Sequence, residues 1–299
     1  MEFQYLLDKI ESADFLDSPF RHLEIADFFS EFHLSALLES PQIKLPQVSS
    51  DIELVKLLDE RGYTAIGFPG ATTDVDSYLA WRRGERSANN RELCERFGVA
   101  FRLLQPRDSL LQELGLFFHS REFQACLADK FEIDLARITS DSGLQKYLDG
   151  YEISPHPDVR RKALTYMLNV NPASDAVLQS FHTHYLTVVE QRQYVLKYWQ
   201  FNEQTERCWL PWSWCRTEKQ QRANNSIVLF SPSFDTIHAV KASYDHLVTQ
   251  RTQFYGNFWY SDVSAPQAQN WRDFELPTTP ERFRTIHLGD GAAFELEGD

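Results

Sequence analysis

The segment Gly150-Tyr-Glu-Ile-Ser-Pro-His156-Pro-Asp158 sets an imidazole and a carboxylate two residues apart. In an extended chain, residues i and i+2 project to the same side. A neutral His156 and an ionised Asp158 can therefore hold two cis positions on one metal ion. Pro155 and Pro157 flank the first ligand, fix the local φ angles and stiffen the pair. A distant second histidine would complete a two-His-one-carboxylate face, a donor set suited to Fe(II) that leaves coordination positions open. His238 is the candidate: an apolar strand, Ser226 to Phe230, is followed by a Pro232 turn and then by His238-Ala-Val240 at the start of a second strand.

Arg251 opens the aromatic run Thr252 to Tyr260. A buried arginine at a strand start needs an anion, and its planar fork suits a carboxylate. Each feature also has a plain reading. His-x-Asp is common in turns, and an arginine in so acidic a chain finds a salt bridge by default. His182 and His184 share the same i, i+2 spacing, but no carboxylate is phased beside them, so one is expected to face solvent or line the pocket. His246 sits in a turn-like Tyr-Asp-His-Leu stretch and His33 and His119 in helical segments; all three read as ordinary histidines. The cluster Trp209, Trp212 and Trp214 reads first as core or lid packing, and second as a stacking surface for a sugar or aromatic substrate.

The elements that must position these groups change character along the chain. The first third reads helical. Asp51 to Gly62 carries Ile52, Leu54, Val55, Leu57 and Leu58 at helical spacing, with Asp at the start and Gly at the end. Thr73 to Trp81, Arg91 to Phe97 and Ser109 to Lys130 read the same way, with capping signals at Thr73 and Ser120. One short strand is expected at Phe20 to Ile25. From about residue 132 the period shortens. Val188 to Glu190, Gln193 to Phe201, Ser226 to Phe230 and Thr252 to Tyr260 are rich in β-branched and aromatic residues, separated by Asn, Pro, Ser and Asp. Asn169 to Asp175 is a loop. The expected class is α+β with a mainly β core. It divides into a helical support region 1–131, a β core 132–262 and an irregular extension 263–299, together one integrated domain.

Composition narrows the functional classes. With 299 residues, 42% hydrophobic and 14% aromatic, the chain can bury a large core. A net charge of -13 with 30 Lys+Arg disfavours nucleic acid and anionic membranes as partners. No stretch reads as a membrane span or a secretory signal. Cys94, Cys126, Cys208 and Cys215 form no CxxC pair and read as free thiols, which fits a cytoplasmic location.

Taken in order, these motifs resemble the Fe(II)- and 2-oxoglutarate-dependent oxygenases, in particular their prolyl-4-hydroxylase-like group. The resemblance lies in Tyr147-Leu-Asp-Gly150, His156-Pro-Asp158, Leu164-Thr-Tyr-Met-Leu-Asn169, Val228-Leu-Phe-Ser-Pro232, His238-Ala-Val240, Arg251 and Phe258-Trp-Tyr260. The opening Ser18 to Phe29 also looks like the start of such proteins. The likeness covers roughly residues 18 to 260, with specific motifs only from 147 onwards. A Gly-Gly-Glu-Leu-type strand of that group is not found; Ser180 to Val189 and a Trp-rich insertion stand in its place.

The resemblance implies a double-stranded β-helix, or jelly roll, braced by the helical region. It implies Fe(II) on His156, Asp158 and His238, 2-oxoglutarate chelating the iron, Arg251 pairing with its distal carboxylate, and dioxygen in the remaining position. Tyr147 or Tyr166 is expected to add a hydrogen bond to that carboxylate. The implied reaction is hydroxylation of an unactivated C–H bond with succinate and carbon dioxide as co-products. The intact Asp158 favours this over halogenation, whose enzymes have Gly or Ala there. The expected substrate is a small molecule. The alternatives are a prolyl or other residue in a protein, a cupin-like metal enzyme that does not use 2-oxoglutarate, and a catalytically silent binding module. The helical third could cover the core, form a homodimer interface or close over substrate.

Overall fold

The computed structural model describes residues 2–67, 71–86, 96–264 and 266–275. Helix starts follow the capping residues. The side chains of Ser30, Ser50, Asp74, Asp108 and Ser120 accept backbone N–H bonds at the starts of α2 (Glu31–Glu39), α3 (Asp51–Glu60), α4 (Val75–Arg82), α5 (Ser109–Phe118) and α6 (Arg121–Lys130). α1 spans Gln4–Ser12 and α7 spans Tyr194–Phe201. No helix among the described residues is long and apolar enough to cross a membrane. Residues 91–95 of the expected Arg91 to Phe97 helix, Cys94 and the tail after Glu275 lie outside the described residues; Cys126, Cys208 and Cys215 are free thiols.

The strands are β1 (Leu23–Ile25), β2 (Tyr63–Ile66), β3 (Ala100–Leu103), β4 (Ile138–Tyr147), β5 (Glu152–His156), β6 (Lys162–Asn169), β7 (Thr183–Val188), β8 (Cys215–Gln221), β9 (Ile227–Phe230), β10 (His238–Lys241) and β11 (Arg251–Tyr260). They form a seven-stranded sheet, β1-β9-β6-β11-β4-β3-β2, and a four-stranded sheet, β5-β10-β7-β8. Every pairing between these strands is antiparallel. The chain is thus a mixed α/β protein built on two antiparallel sheets. β1 falls within the strand expected at Phe20 to Ile25 and extends one edge of the large sheet, whereas β2 and β3, which extend the other, make the N-terminal region less helical than its sequence suggests.

Strand alternation sorts the side chains into layers. On the outer face of the large sheet, Leu164, Tyr166, Leu168, Phe254 and Phe258 share one apolar cluster with Leu114, Phe118 and Phe123 of α5 and α6. On its inner face, Met167, Val228 and Phe230 meet Tyr185 of the small sheet. Behind the small sheet, Leu186, Val188 and Ala239 pack on Val195 and Trp199 of α7 and on Cys208, Leu210 and Trp214.

That last layer corrects one expectation. Gln193 to Phe201, expected as a strand from its aromatic composition, contains α7. Val195 and Trp199, four residues apart, are its fully buried positions, and that spacing belongs to a helix, whatever the residue types.

Candidate metal centre

His156 ends β5 and His238 begins β10, and the two are register partners across the small sheet. Their rings lie 4.2 Å apart, centroid to centroid. Asp158 stands 3.5 Å from His156 Nε2 through Oδ1 and 3.8 Å from His238 Nε2 through Oδ2. One donor atom from each residue lies within 4.8 Å of the others, and all three residues are buried. It is the only such group of His, Cys, Asp or Glu among the described residues.

Asp158 reaches this position by a route the alternation argument misses. It lies past the end of β5 in the left-handed region, at φ 60°, a conformation that aspartate tolerates better than most residues. The turn folds its carboxylate back over β6. Thr165 Oγ1 donates to Oδ2 at 2.8 Å and Lys162 Nζ donates to Oδ1 at 2.7 Å.

The histidines are oriented by backbone. His156 Nδ1 lies 2.8 Å from Ser154 O, and His238 Nδ1 2.9 Å from Thr236 O. A carbonyl only accepts, so Nδ1 carries the proton and the Nε2 lone pair is left for a metal. Burial, reinforced by neighbouring His156, pulls His238 down to about 3, so it is neutral at neutral pH. Burial opposes the charge on Asp158. The Lys162 ammonium and the two imidazoles outweigh it and hold the carboxyl well below the usual range. His238 thus presents a neutral nitrogen and Asp158 an anionic oxygen, the protonation states that metal binding requires.

Lys162 was not anticipated. Besides Asp158 it donates to Tyr255 Oη at 2.9 Å, and it lies over the rings of Tyr255 and Trp259. Trp209, from the loop after α7, rests its ring 4.3 Å from that of His156.

Arg251 begins β11 and is 2% exposed. Its guanidinium lies 4.5 Å over the Tyr147 ring, and its Nη2 donates to Thr183 Oγ1 at 2.9 Å. No carboxylate among the described residues comes within ion-pair distance of it. Burial pulls its pKa below that of a free guanidinium while Tyr147, Tyr151, Tyr244 and Tyr185 act the other way, and a guanidinium stays protonated throughout. Thr183 pairs with Val240, and two residues on Tyr185 pairs with His238. The Arg251 fork therefore sits about 7 Å along the small sheet from the metal ligands.

The two tyrosines expected near Arg251 part company. Tyr147 is its register partner on β4, lies under the guanidinium, and has its hydroxyl 2.6 Å from Gln145. Tyr244, not anticipated, donates to the Tyr147 carbonyl and accepts from Arg251 N, tying the two residues together. Tyr166 is not brought to the site. It follows Thr165, which faces inward to Asp158, so it points to the outer face, against Phe118, Phe123 and Gly256. Its assignment to a co-substrate fails on strand parity alone.

The histidines read as ordinary, and the pair His182 and His184, lie outside the metal group. His246 Nδ1 accepts from Asp149 N, and its Nε2 lies 2.6 Å from Asp51. His33 is buried between Tyr5 and Glu2. His119 lies at the exposed end of α5. His184 contacts Trp212, Thr217 and Gln220 behind the small sheet, and His182 is buried near Val177 O. Trp214 is core, and Trp212 Nε1 donates to Glu152.

No protein-family model matches the chain, and no curated protein matches it. Solved structures do resemble it. A prolyl-4-hydroxylase from Pseudomonas putida is 8% identical, with 87% of this chain and 100% of that one covered and a TM-score of 0.41. A prolyl hydroxylase from Trichoplax adhaerens, in complex with a hypoxia inducible factor peptide fragment, is 11% identical over 87% of this chain and 89% of that one, with a TM-score of 0.41. HygX from Streptomyces hygroscopicus, with nickel, 2-oxoglutarate and hygromycin B bound, is 9% identical over 75% and 99%, with a TM-score of 0.33.

Proposed function

We propose that this chain is an Fe(II)- and 2-oxoglutarate-dependent dioxygenase that hydroxylates an unactivated C–H bond of a small molecule, releasing succinate and carbon dioxide. On this reading the two facing sheets are a double-stranded β-helix. Residues 132–262 form its catalytic core, 1–131 a supporting region and 263–299 an extension. The observation that carries the proposal is Arg251: a buried guanidinium with no carboxylate partner among the described residues, about 7 Å along the sheet from a His-Asp-His group. A buried cation without an anion costs several kcal/mol, and a five-carbon diacid that chelates metal at one end supplies the missing charge at the other.

His156, Asp158 and His238 would hold the iron through Nε2, a carboxylate oxygen and Nε2. The bound metal supplies the dioxygen activation that no side chain here can perform. The chain's own residues do the rest. The Ser154 and Thr236 carbonyls hold the imidazole tautomers. Thr165 and Lys162 hold both oxygens of Asp158, so that the ligand keeps one geometry before metal arrives. Arg251, braced by Thr183 and by the Tyr147 ring, orients the distal carboxylate of the diacid. The intact Asp158 favours hydroxylation over halogenation on the resemblance noted above. The acidic chain supports a small molecule over nucleic acid or a membrane as partner.

The test is anaerobic titration of the Fe(II)-loaded chain with 2-oxoglutarate, read as the weak visible metal-to-ligand charge-transfer band. The band is expected to appear and to be lost in His156→Ala. Iron binding without the band would favour a metal enzyme that does not use 2-oxoglutarate, and no iron binding at all a binding module.

A further inference from the structure

The loop between α7 and β8 carries a second buried cation that the reading above leaves unused. Arg207 is 7% exposed, and its Nε has no partner. None of its guanidinium N–H groups bonds another described residue, and no carboxylate among them lies within 4 Å of it. Its only bond is through backbone, from Arg207 N to Glu206 Oε1. The side chains that bear on it electrostatically are Arg160, Glu206, Asp158 and Asp235, and burial together with Arg160 pulls it down to about 10.

The direction of this side chain follows from its neighbours. Leu210 N donates to Pro155 O, which lays the loop alongside the end of β5. Cys208 and Leu210 are buried in the apolar layer behind the small sheet. In an extended stretch, the alternate residues Arg207 and Trp209 then face the other way. Trp209 lands against the His156 ring and is only partly buried. Arg207 faces the same way; among the acids Glu206 acts on it most, followed by Asp158 of the metal group and Asp235. The Arg160 guanidinium donates to the carbonyls of Thr205, Trp199 and Asn202. Lys162 already neutralises Asp158 at 2.7 Å. Arg207 is therefore a desolvated donor fork whose guanidinium finds no acceptor among the described residues, with Asp158 of the metal group among the acids that act on it.

We propose that Arg207 anchors an anionic group, a carboxylate or a phosphate, on the substrate, and that Trp209 is the wall along which the rest of that molecule lies between the anchor and the metal. This rests on the metal-centre reading and names the substrate class for it: a small oxyanion-bearing compound with a flat apolar portion. Arg251 binds the co-substrate and Arg207 the substrate, so the two guanidinium groups hold different anions.

The experiment uses the full chain, anaerobic, with Fe(II) and saturating 2-oxoglutarate, so that Arg251 is occupied. The probes are phenylacetate, phenyl phosphate and the neutral phenylacetamide. Binding is read by ligand-observed NMR and by tryptophan fluorescence. One of the anionic probes is expected to bind roughly ten- to a hundredfold more tightly than the amide, the range of a charge-assisted hydrogen bond. Whichever of the two prevails assigns the group as carboxylate or phosphate. Arg207→Gln should abolish that preference, leave 2-oxoglutarate affinity within about twofold, and keep or raise the melting temperature, because an unpaired buried charge is removed. Equal binding of charged and neutral probes, or none of any probe, overturns the proposal; this comparison needs only the wild-type chain and holds even if the variant does not fold. A lower melting temperature in Arg207→Gln with the anion preference intact also overturns it, and makes Arg207 a structural counter-charge for Asp158 and Asp235. Failure of the iron reading shows separately, as absence of the charge-transfer band.

Discussion

Replacing Arg251 by methionine separates a residue that binds a ligand from one that holds the fold together. The buried guanidinium makes one side-chain hydrogen bond, to Thr183, and one ring contact, with Tyr147. Those are worth about 1 kcal/mol each. Against them stands an unpaired buried cation, whose removal commonly recovers about 1–4 kcal/mol when an apolar residue of similar volume takes its place. The folded chain should therefore be as stable in Arg251→Met as in the wild type, or more so. Binding of 2-oxoglutarate should behave oppositely. Two charge-assisted hydrogen bonds to its distal carboxylate, at about 1.5–3 kcal/mol each, sum to about 3–6 kcal/mol, or a 10²- to 10⁴-fold weaker dissociation constant. Iron affinity should not change, because Arg251 touches none of the three ligands. The assay pairs urea unfolding of the metal-free chain with the anaerobic charge-transfer titration. A variant that unfolds several kcal/mol earlier while binding 2-oxoglutarate normally would refute the reasoning, because the guanidinium would then be a structural element whose charge is satisfied in the free protein.

Asp158→Ala should abolish stoichiometric Fe(II) binding and also destabilise the metal-free chain by about 3–5 kcal/mol, since it strands the buried Lys162 ammonium; adding Lys162→Met should restore stability but not iron, read by metal analysis beside urea unfolding. In Gly256→Ala the new methyl would sit 2.2 Å from Tyr166 Cζ, on a ring already wedged between Phe118 and Phe123, so a loss of at least about 1–3 kcal/mol is expected, and a melting temperature equal to wild type would contradict the packing described. Lys146 is fully buried, donates to Ile43 O and Thr252 Oγ1, and is brought by burial down to about 7. Between about pH 7 and 10.5 the unfolded chain binds a proton there that the folded chain does not, so stability should rise with pH across that window by up to about 1.4 kcal/mol per unit; the slope should vanish in Lys146→Met.

The parts of this site that are legible in the sequence are those whose partners are close in sequence or repeat with a strict period. His156 and Asp158 announce themselves by spacing, β11 by its aromatic run, and the helix starts by their Ser and Asp caps. Tyr166 fails at the next level: which face of a strand a residue occupies depends on parity, and the parity of β6 is set by the placement of Thr165 on Asp158. Had Thr165 been assigned inward first, Tyr166 would have been excluded at once. α7 fails differently, because its aromatic composition speaks for a strand while its burial at Val195 and Trp199 speaks for a helix, and tertiary packing overrides propensity. Trp209 stands out as a candidate stacking surface and Lys162 lies four residues from Asp158, but the long-range contacts of Lys162, Thr183 and Trp209 are not legible. Their partners Tyr255, Arg251 and His156 lie 93, 68 and 53 residues away in sequence and meet them only when the sheets form.

The cations around the His-Asp-His group follow a division that explains why the protein tolerates them. Lys162 is matched: its ammonium sits on Asp158 and Tyr255, and its work is complete in the free chain, where it fixes the ligand's geometry and ionisation. Arg251 and Arg207 have no ion-pair partner among the described residues, and each is a guanidinium. That choice of side chain has a physical basis. A buried lysine without an anion can ease its charge by a lowered pKa, as burial brings Lys146, on the other side of the large sheet, down to about 7. A buried guanidinium cannot, so it keeps its full charge whether or not an anion is present. On the proposed reading, the stability forgone by holding two such charges without a described counter-ion becomes, on binding, the selectivity of a site for one dianionic co-substrate and one anionic substrate about a single metal.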